Sequence, residues 1–200
     1  PYLYAKKLLE SQIDGLPIMD ALSDYEFYEQ GLVGVPVCSN DHIRPFLENH
    51  VPGLWTYYCC GQYKEVANSF FSMPSVRNRI LGVQLYKFGI KGFLHWGFNF
   101  WNAALSTHPV NPFQVTDAEC AFPSGDAFLV YPGADGPIGS LREEVLMEGL
   151  QDMRALQLLE SLTDRETVLE LLESGLDREI TFREYPHEAQ WLLHMRERCN

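Results

Sequence analysis

The sequence predicts an α/β fold, a parallel sheet with helices outside it. Three observations predict it. Up to Trp96, short apolar runs alternate with stretches of helical period, joined by a few residues each. Glycines close several helical stretches, and Ser/Thr-x-x-Glu boxes open others. After Trp96 the rhythm stops, and residues 97–138 carry five of the chain's twelve prolines, a loop long enough to be functional or to hold a small hairpin.

The elements follow in order. Residues 2–14 read as a helix, with Leu3, Ala5, Leu8 and Leu9 on one side and Gly15 as its stop. Leu16 to Ala21 reads as a buried strand. Ser23 with Glu26 forms a capping box for a helix that Gly31 ends. Val33 to Val37 is the second strand, 40–49 a helix, and Leu54 to Cys60 the third strand. A loop over 61–73 leads to a helix over 75–88. Gly89 and Gly92 bracket the turn into the fourth strand, Phe93 to Trp96. Ser140 and Glu143 open a long helix to about Leu162, and Thr163 with Glu166 opens another that stops at Gly175. Pro186 starts the last helix.

Two hundred residues suffice for one core, and a hydrophobic content of 46% with 21% charged residues is ordinary for a globular domain. The net charge of −12 repels a phosphate backbone, so no nucleic-acid partner is expected. The acidic excess is denser beyond residue 139, as on solvated helix faces. Five cysteines is an odd number. They show no CxxC, and Cys59 and Cys60 are strand neighbours that point to opposite faces. Reduced thiols and a cytoplasmic location are expected. The six histidines show no ligand spacing, so neither metal nor cofactor is expected. There is no run of 18 apolar residues, and no membrane partner is expected. The chain starts without Met and inside a helical pattern, which reads as part of a longer protein.

Aromatic residues gather at two strand ends. They are Leu54-Trp55-Thr56-Tyr57-Tyr58-Cys59-Cys60 and Gly92-Phe93-Leu94-His95-Trp96, with Asn99, Trp101 and Asn102 just beyond. Aromatic faces take the C–H face of a sugar, and amides and carboxylates take its hydroxyls. These strings, with Asn68 and Arg77 or Arg79 between them, resemble the catalytic domain of glycoside hydrolase family 123, also described as domain of unknown function 4091. A second stretch carries the same resemblance: Gly125-Asp126-Ala127-Phe128-Leu129-Val130-Tyr131-Pro132-Gly133, then Gly139-Ser140-Leu141-Arg142-Glu143-Glu144 and Glu148-Gly149-Leu150-Gln151-Asp152. The matches span about residues 54–160.

The resemblance implies a (β/α)8 barrel that hydrolyses β-linked N-acetylhexosaminides, N-acetylgalactosamine foremost, by a substrate-assisted route. The sugar's acetamido carbonyl attacks the anomeric carbon. An Asp steadies the oxazolinium, and the adjacent Glu protonates the leaving oxygen. In the family that Asp-Glu pair follows the fourth barrel strand, and these 200 residues contain no Asp-Glu dipeptide. The chain is therefore expected to be the second half of the barrel. Residues 1–138 would hold strands five to eight with a loop or hairpin at 97–138, and 139–200 the C-terminal helices. The partner would be the missing N-terminal half of the same protein, and the open sheet edges would favour self-association.

No catalytic residue is assigned within the chain. Tyr57, Tyr58, Trp96, Trp101, Asn102, Asn99 and Asp20 are the expected carbohydrate-binding residues. Core packing competes for the aromatics, loop packing for Trp101 and Asn102, and a helix-start role for Asp20. Asp24 with Glu26 and Asp117 with Glu119 are the only tempting carboxylate pairs, and the first does not share a helix face. Asp126 reads as a turn residue. Arg142, Glu144, Glu148 and Asp152 read as ion-pair support on a helix. A carbohydrate-binding module without catalysis, or an interaction domain using the acidic helices, are the alternatives.

Overall fold

Four short strands, β1 (Met19–Leu22), β2 (Val35–Ser39), β3 (Trp55–Tyr57) and β4 (Gly92–Leu94), make one parallel sheet in that order. The coordinates are a computed structural model that describes residues 2–13 and 15–199. The register runs Ala21–Val37–Trp55–Gly92 across the sheet, and Ser39–Tyr57–Leu94 at its C-terminal end. Each crossover carries a helix: α2 (Tyr25–Glu29), α3 (Arg44–Glu48), then α4 (Val76–Arg79) with α5 (Leu81–Lys87). Helix α1 (Tyr2–Glu10) precedes β1 and is tied down by Lys6, which donates to the carbonyls of Gly31 and Leu32.

The two faces of the sheet differ. Leu22, Cys38 and Tyr58, with Phe93 beside them, pack against Phe46 of α3 and Leu81 and Leu85 of α5. On the other face Met19 and Leu94 are 42% and 40% exposed. Parallel sheets are ordinarily covered on both sides, so this face is unusual. Edge strands β1 and β4 each pair on one side only among the described residues. Beside β4 lies an apolar groove of about 850 Å³, lined by Ile90, Phe93, Leu146, Leu150 and Met153 among others. The apolar side of α1 is also open, with Leu3, Leu8 and Leu9 each about half exposed.

After the sheet, segment 97–139 ends in an antiparallel hairpin of β5 (Val130–Pro132) and β6 (Pro137–Gly139). Ser140 then caps α6 (Leu141–Leu162) by accepting from the Glu143 amide. Helix α6 lies along α4 and α5 and crosses them at two glycines. A Cβ on Gly82 would stand 1.7 Å from the Gly149 carbonyl oxygen, and one on Gly149 would stand 2.6 Å from that of Arg79. The backbones touch because neither residue has a side chain. An ion pair locks the same crossing. Arg79 grips the wholly buried Asp152 with Nε and Nη2 at 2.6 and 3.0 Å, and Arg196 of α8 (Ala189–Arg198) adds a contact at 3.3 Å. Removing one partner would strand a buried charge, at a cost of about 3–5 kcal/mol. Leu156 of α6, Val168 and Leu172 of α7 (Arg165–Glu173), Ile180 and Leu192 enclose a second core with Ile80 and Val83.

Several boundaries differ from the sequence expectation. The first helix closes at Glu10, and Asp14, its expected end, lies outside the described residues. Ser23 does not cap α2. The helix starts after Asp24 without a side-chain cap, and the Ser23 hydroxyl instead meets that of Ser39 at 3.0 Å. The expected helix over 40–49 shrinks to five residues because Asn40 is committed elsewhere, its amide donating to the Ala67 carbonyl. Residues 75–88 form two helices separated at Ile80. Asp164, not Thr163, caps α7, because the Thr163 hydroxyl donates back to the Leu159 carbonyl and the Asp164 carboxylate receives the Thr167 amide. The last helix starts at Ala189, three residues after Pro186. Arg142 and Glu144 do not share an ion-pair row with Asp152. Arg142 binds backbone carbonyls, and Asp152 is taken by Arg79 and Arg196.

Gly-to-Ala changes inside a helix ordinarily stabilise by about 1 kcal/mol. Here Gly149→Ala and Gly82→Ala are expected to destabilise by about 1–3 kcal/mol, because the helices must move apart. Urea unfolding of each variant checks this, and a gain in stability at either position contradicts the close crossing.

Candidate functional site

The C-terminal ends of the parallel strands gather the polar side chains, as the carboxyl ends of α/β sheets do. At the ends of β1 and β2, Ser23 Oγ meets Ser39 Oγ, and Ser39 Oγ lies 3.3 Å from His42 Nδ1. His42 Nδ1 also lies 2.9 Å from Asp41 Oδ1, which accepts from Gln62 Nε2 at 3.1 Å. Burial pushes the Asp41 pKa up, but the hydrogen bonds from His42, Ser39 and Gln62 outweigh it and hold the group below its ordinary value. The cluster contains Ser, His and Asp without the geometry of a nucleophilic triad. Both Ser39 and Asp41 address the same imidazole nitrogen, so no proton path runs through the ring. Tyr57 ends β3 beside these hydroxyls, half-buried, and burial raises its pKa. Trp55, two residues earlier, lays its indole across Gly92 of β4.

The second part of the site follows β4. Segment 97–100 runs against 127–130: Phe100 N donates to the Ala127 carbonyl, Leu129 N to that of Phe98, and Asn99 bridges to Phe128. Gly97 permits this, since a Cβ there would stand 2.7 Å from the Ala127 carbonyl oxygen. Trp96 is thereby brought to Asp126, and its Nε1–H donates to Oδ2 at 3.1 Å. The indole rests against Phe122 and Phe100, with ring centres at 4.9 and 5.2 Å, and stays 40% exposed. The indole is thus partly open to solvent while its N–H edge is tied.

Arg142 holds the frame behind it. Nη1 donates to the carbonyls of Ser69 and Gly125 at 3.1 and 2.6 Å, and Nη2 to that of Phe128 at 2.6 Å. The guanidinium sits 4.5 Å from the centre of the Phe71 ring. Asn68 orders the 61–73 loop through the carbonyls of Cys59 and Gln62, and Arg77 reaches the carbonyls of Lys64 and Val66 in the same loop. Under this frame several buried polar atoms have no hydrogen-bond partner among the described residues: Tyr58 OH, Ser69 Oγ, Asp126 Oδ1 and both His95 ring nitrogens. Burial, helped by Arg142, lowers His95 to about 4, so its ring is neutral at pH 7. Burial raises Asp126 to about 6 against the opposing pull of Trp96 and Arg142. Burial raises Tyr58 to about 12.

The expected binding residues divide. Trp96 and Asn99 are exposed in the loop after β4, and Tyr57 ends the adjacent strand. Trp101 is half-buried and spends its Nε1–H on the Val130 carbonyl at 2.9 Å, so that donor is not free for a ligand. Asn102 is half-buried in a bridge to Pro109. Tyr58 is corrected. It has no exposed surface and packs on Phe93 and His95, because its alternation places it on the helix-covered face. Asp20 is also corrected. It is the second residue of β1, shares its face with Leu22, and sits beside Tyr2 of α1, whose pKa is raised by burial and then by that carboxylate. Glu119 of the Asp117/Glu119 pair contacts exposed His108 instead. Sequence reasoning missed Asp126 and Arg142 as site residues. The signal was there in Asp126, a lone acid followed directly by the apolar run Ala127 to Val130. Among the described residues no group of three His, Cys, Asp or Glu side chains could hold a metal ion.

A family model described as the catalytic domain of glycoside hydrolase 123 matches residues 1–159. A solved family 123 glycoside hydrolase from Clostridium perfringens, whose structural analysis concerns glycolipid glycan hydrolysis, is similar with a TM-score of 0.64 at 19% identity. That similarity covers 98% of this chain and 37% of the other, and at this identity it shows a shared fold. No curated protein matches in sequence.

His95 and Asp126 give opposite dependences on pH. His95 is held below its ordinary 6.5, so its share of stability is present above that value and is lost as pH falls toward about 4. Asp126 is held above its ordinary 3.8, so its share is present at low pH and is lost as pH rises toward about 6. Between these limits His95→Phe is expected to gain on the wild type as pH falls, and Asp126→Asn to gain as pH rises. Urea unfolding at several pH values between 4 and 6.5 measures both slopes, and parallel curves for all three proteins contradict the assignment.

Proposed function

Because this chain belongs to glycoside hydrolase family 123, we propose that it forms the aromatic side of a glycosidase site whose acid lies elsewhere in the same protein. The observation that carries this is Trp96, a half-exposed indole just past the end of β4, packed against the adjoining rings of Phe100 and Phe122 and tethered by Asp126. Such a face stacks on the C–H side of a sugar ring. Tyr57, Asn99 and the Ser39–Asp41–His42 cluster, also at or beyond the C-terminal ends of the strands, would supply partners for the sugar's hydroxyls.

The substrate class is a β-linked N-acetylhexosaminide, with N-acetylgalactosamine preferred. A lipid-carried glycan is consistent with what the Clostridium relative is described as hydrolysing. The acetamido carbonyl serves as the nucleophile and closes an oxazolinium ring, which explains why one donor carboxylate and one stabilising carboxylate suffice. Neither is assigned to these 200 residues, which lack an Asp-Glu dipeptide.

The same reading accounts for the architecture. On this reading the four sequential parallel strands, with helices on one face, would be half of a (β/α)8 barrel. The remaining strands would continue from the edges of β1 and β4, cover the face that exposes Met19 and Leu94, and fill the groove beside Phe93. Among the described residues both sheet edges are unpaired, which favours association.

The complete protein is expected to hydrolyse an aryl β-N-acetylhexosaminide and to be inhibited by a thiazoline mimic of the oxazolinium. Residues 1–200 alone should not. Trp96→Ala in the complete protein should raise KM by about tenfold or more, a typical loss for one stacked aromatic. Lack of turnover across a broad aryl-glycoside panel rejects the hydrolase reading. Strong saccharide binding by residues 1–200 would favour a binding module instead. Light scattering of residues 1–200 should report oligomers, and a clean monomer contradicts the half-barrel.

A further inference from the structure

We propose that Asp126 is a positioning residue for Trp96, its carboxylate holding the indole in the plane that presents it to the sugar. This rests on the glycosidase reading and adds to it. Asp126 is wholly buried, yet its side chain has one hydrogen-bond partner among the described residues, the Trp96 Nε1–H at 3.1 Å. Its other oxygen has none. Arg142 makes no hydrogen bond to it: the guanidinium donates to the carbonyls of Ser69, Gly125 and Phe128, and its charge offsets only part of the burial. A buried carboxylate without an ion-pair partner costs several kcal/mol and is not explained by packing or by a turn.

What the arrangement achieves is a fixed rotamer. Phe122 and Phe100 pack on the indole and on each other, with their own centres 6.4 Å apart, so they do not enclose it, and they leave it free to slide and flip. A charged acceptor at the edge selects one orientation, and charged acceptors bind an N–H about twice as strongly as neutral ones. The acceptor is itself immobile. Arg142 holds the carbonyls before and after it, at Gly125 and Phe128, and the Asp126 amide donates to the Pro123 carbonyl. The chain of restraint runs from α6 through Arg142 to residues 125–128, to Asp126 and so to Trp96. The titratable and charged groups around the carboxylate are Arg142, Tyr58 and Cys60.

The test uses the complete protein in four forms: wild type, Asp126→Leu, Trp96→Phe and the double variant, with Asp126→Asn as the conservative control. The first readout is the indole N–H resonance of Trp96 by NMR, assigned by its loss in Trp96→Phe. It should shift in Asp126→Leu and largely return in Asp126→Asn, which keeps an acceptor oxygen. The second readout is steady-state hydrolysis of an aryl β-N-acetylhexosaminide. Asp126→Leu should raise KM about tenfold with little change in kcat. The same change in the Trp96→Phe background should do far less, since phenylalanine has no N–H to hold. Equal effects in both backgrounds, or an indole resonance unmoved by Asp126→Leu, overturn the proposal. If the wild type turns over no substrate while the resonance still follows Asp126, the glycosidase reading fails, and with it the sugar-facing role, though the tether itself stands. Should Asp126→Leu not fold, failure of Asp126→Asn to keep the wild-type resonance and KM overturns the proposal.

Discussion

The guanidinium of Arg142 donates to three backbone carbonyls from two separate loops, those of Ser69, Gly125 and Phe128. The position of residues 125–128, and with them of Trp96, depends on that brace. An arginine used this way is unusual, because its charge is not spent on a carboxylate. Its five donors in a rigid fork can instead satisfy carbonyls that would otherwise be buried without partners. The charge that remains acts at short range. It helps keep His95 neutral, and it opposes, without overcoming, the burial that raises Asp126.

The brace in turn depends on where α6 lies. Arg142 opens that helix, and the helix is set by its contact with α4 and α5, where Gly82 and Gly149 allow backbone to touch backbone. Arg79, Asp152 and Arg196 lock the same crossing from within. A stability device midway along α6 thus bears on the loops that Arg142, in the first turn of the helix, holds. Small shifts in helix crossing would reach Trp96 through Arg142 and residues 125–128.

The sheet itself has a closed side and an open side. Helices bury Leu22, Cys38 and Tyr58, while Met19 and Leu94 look outward and the edges of β1 and β4 remain unpaired among the described residues. This asymmetry separates aromatics that look alike in sequence. Tyr57 and Tyr58 are neighbours, yet one stands at the polar strand ends and the other lies in the core, because successive side chains of a strand point to opposite faces.

The sequence by itself determined the α/β class, the four strand positions to within a few residues, the cap at Ser140, the long helix after it and the family. Each of these is encoded locally, in an apolar run, a capping residue or a contiguous motif. It also placed Trp96 near the end of the fourth strand, although β4 closes at Leu94 and Trp96 lies two residues into the loop beyond it. Only the tertiary structure decided which face each strand residue took, and that removed Tyr58 and Asp20 from the site. Only the fold could show that Ser23 pairs with Ser39, that Asn40 is held by Ala67, and that Arg142 reaches back 73 residues to Ser69. Those partners are distant along the chain, and neither periodicity nor propensity carries information about them. The role of Asp126 was hidden for the same reason: a carboxylate in a glycine-bearing turn is ordinary until burial and a single indole partner 30 residues away make it singular.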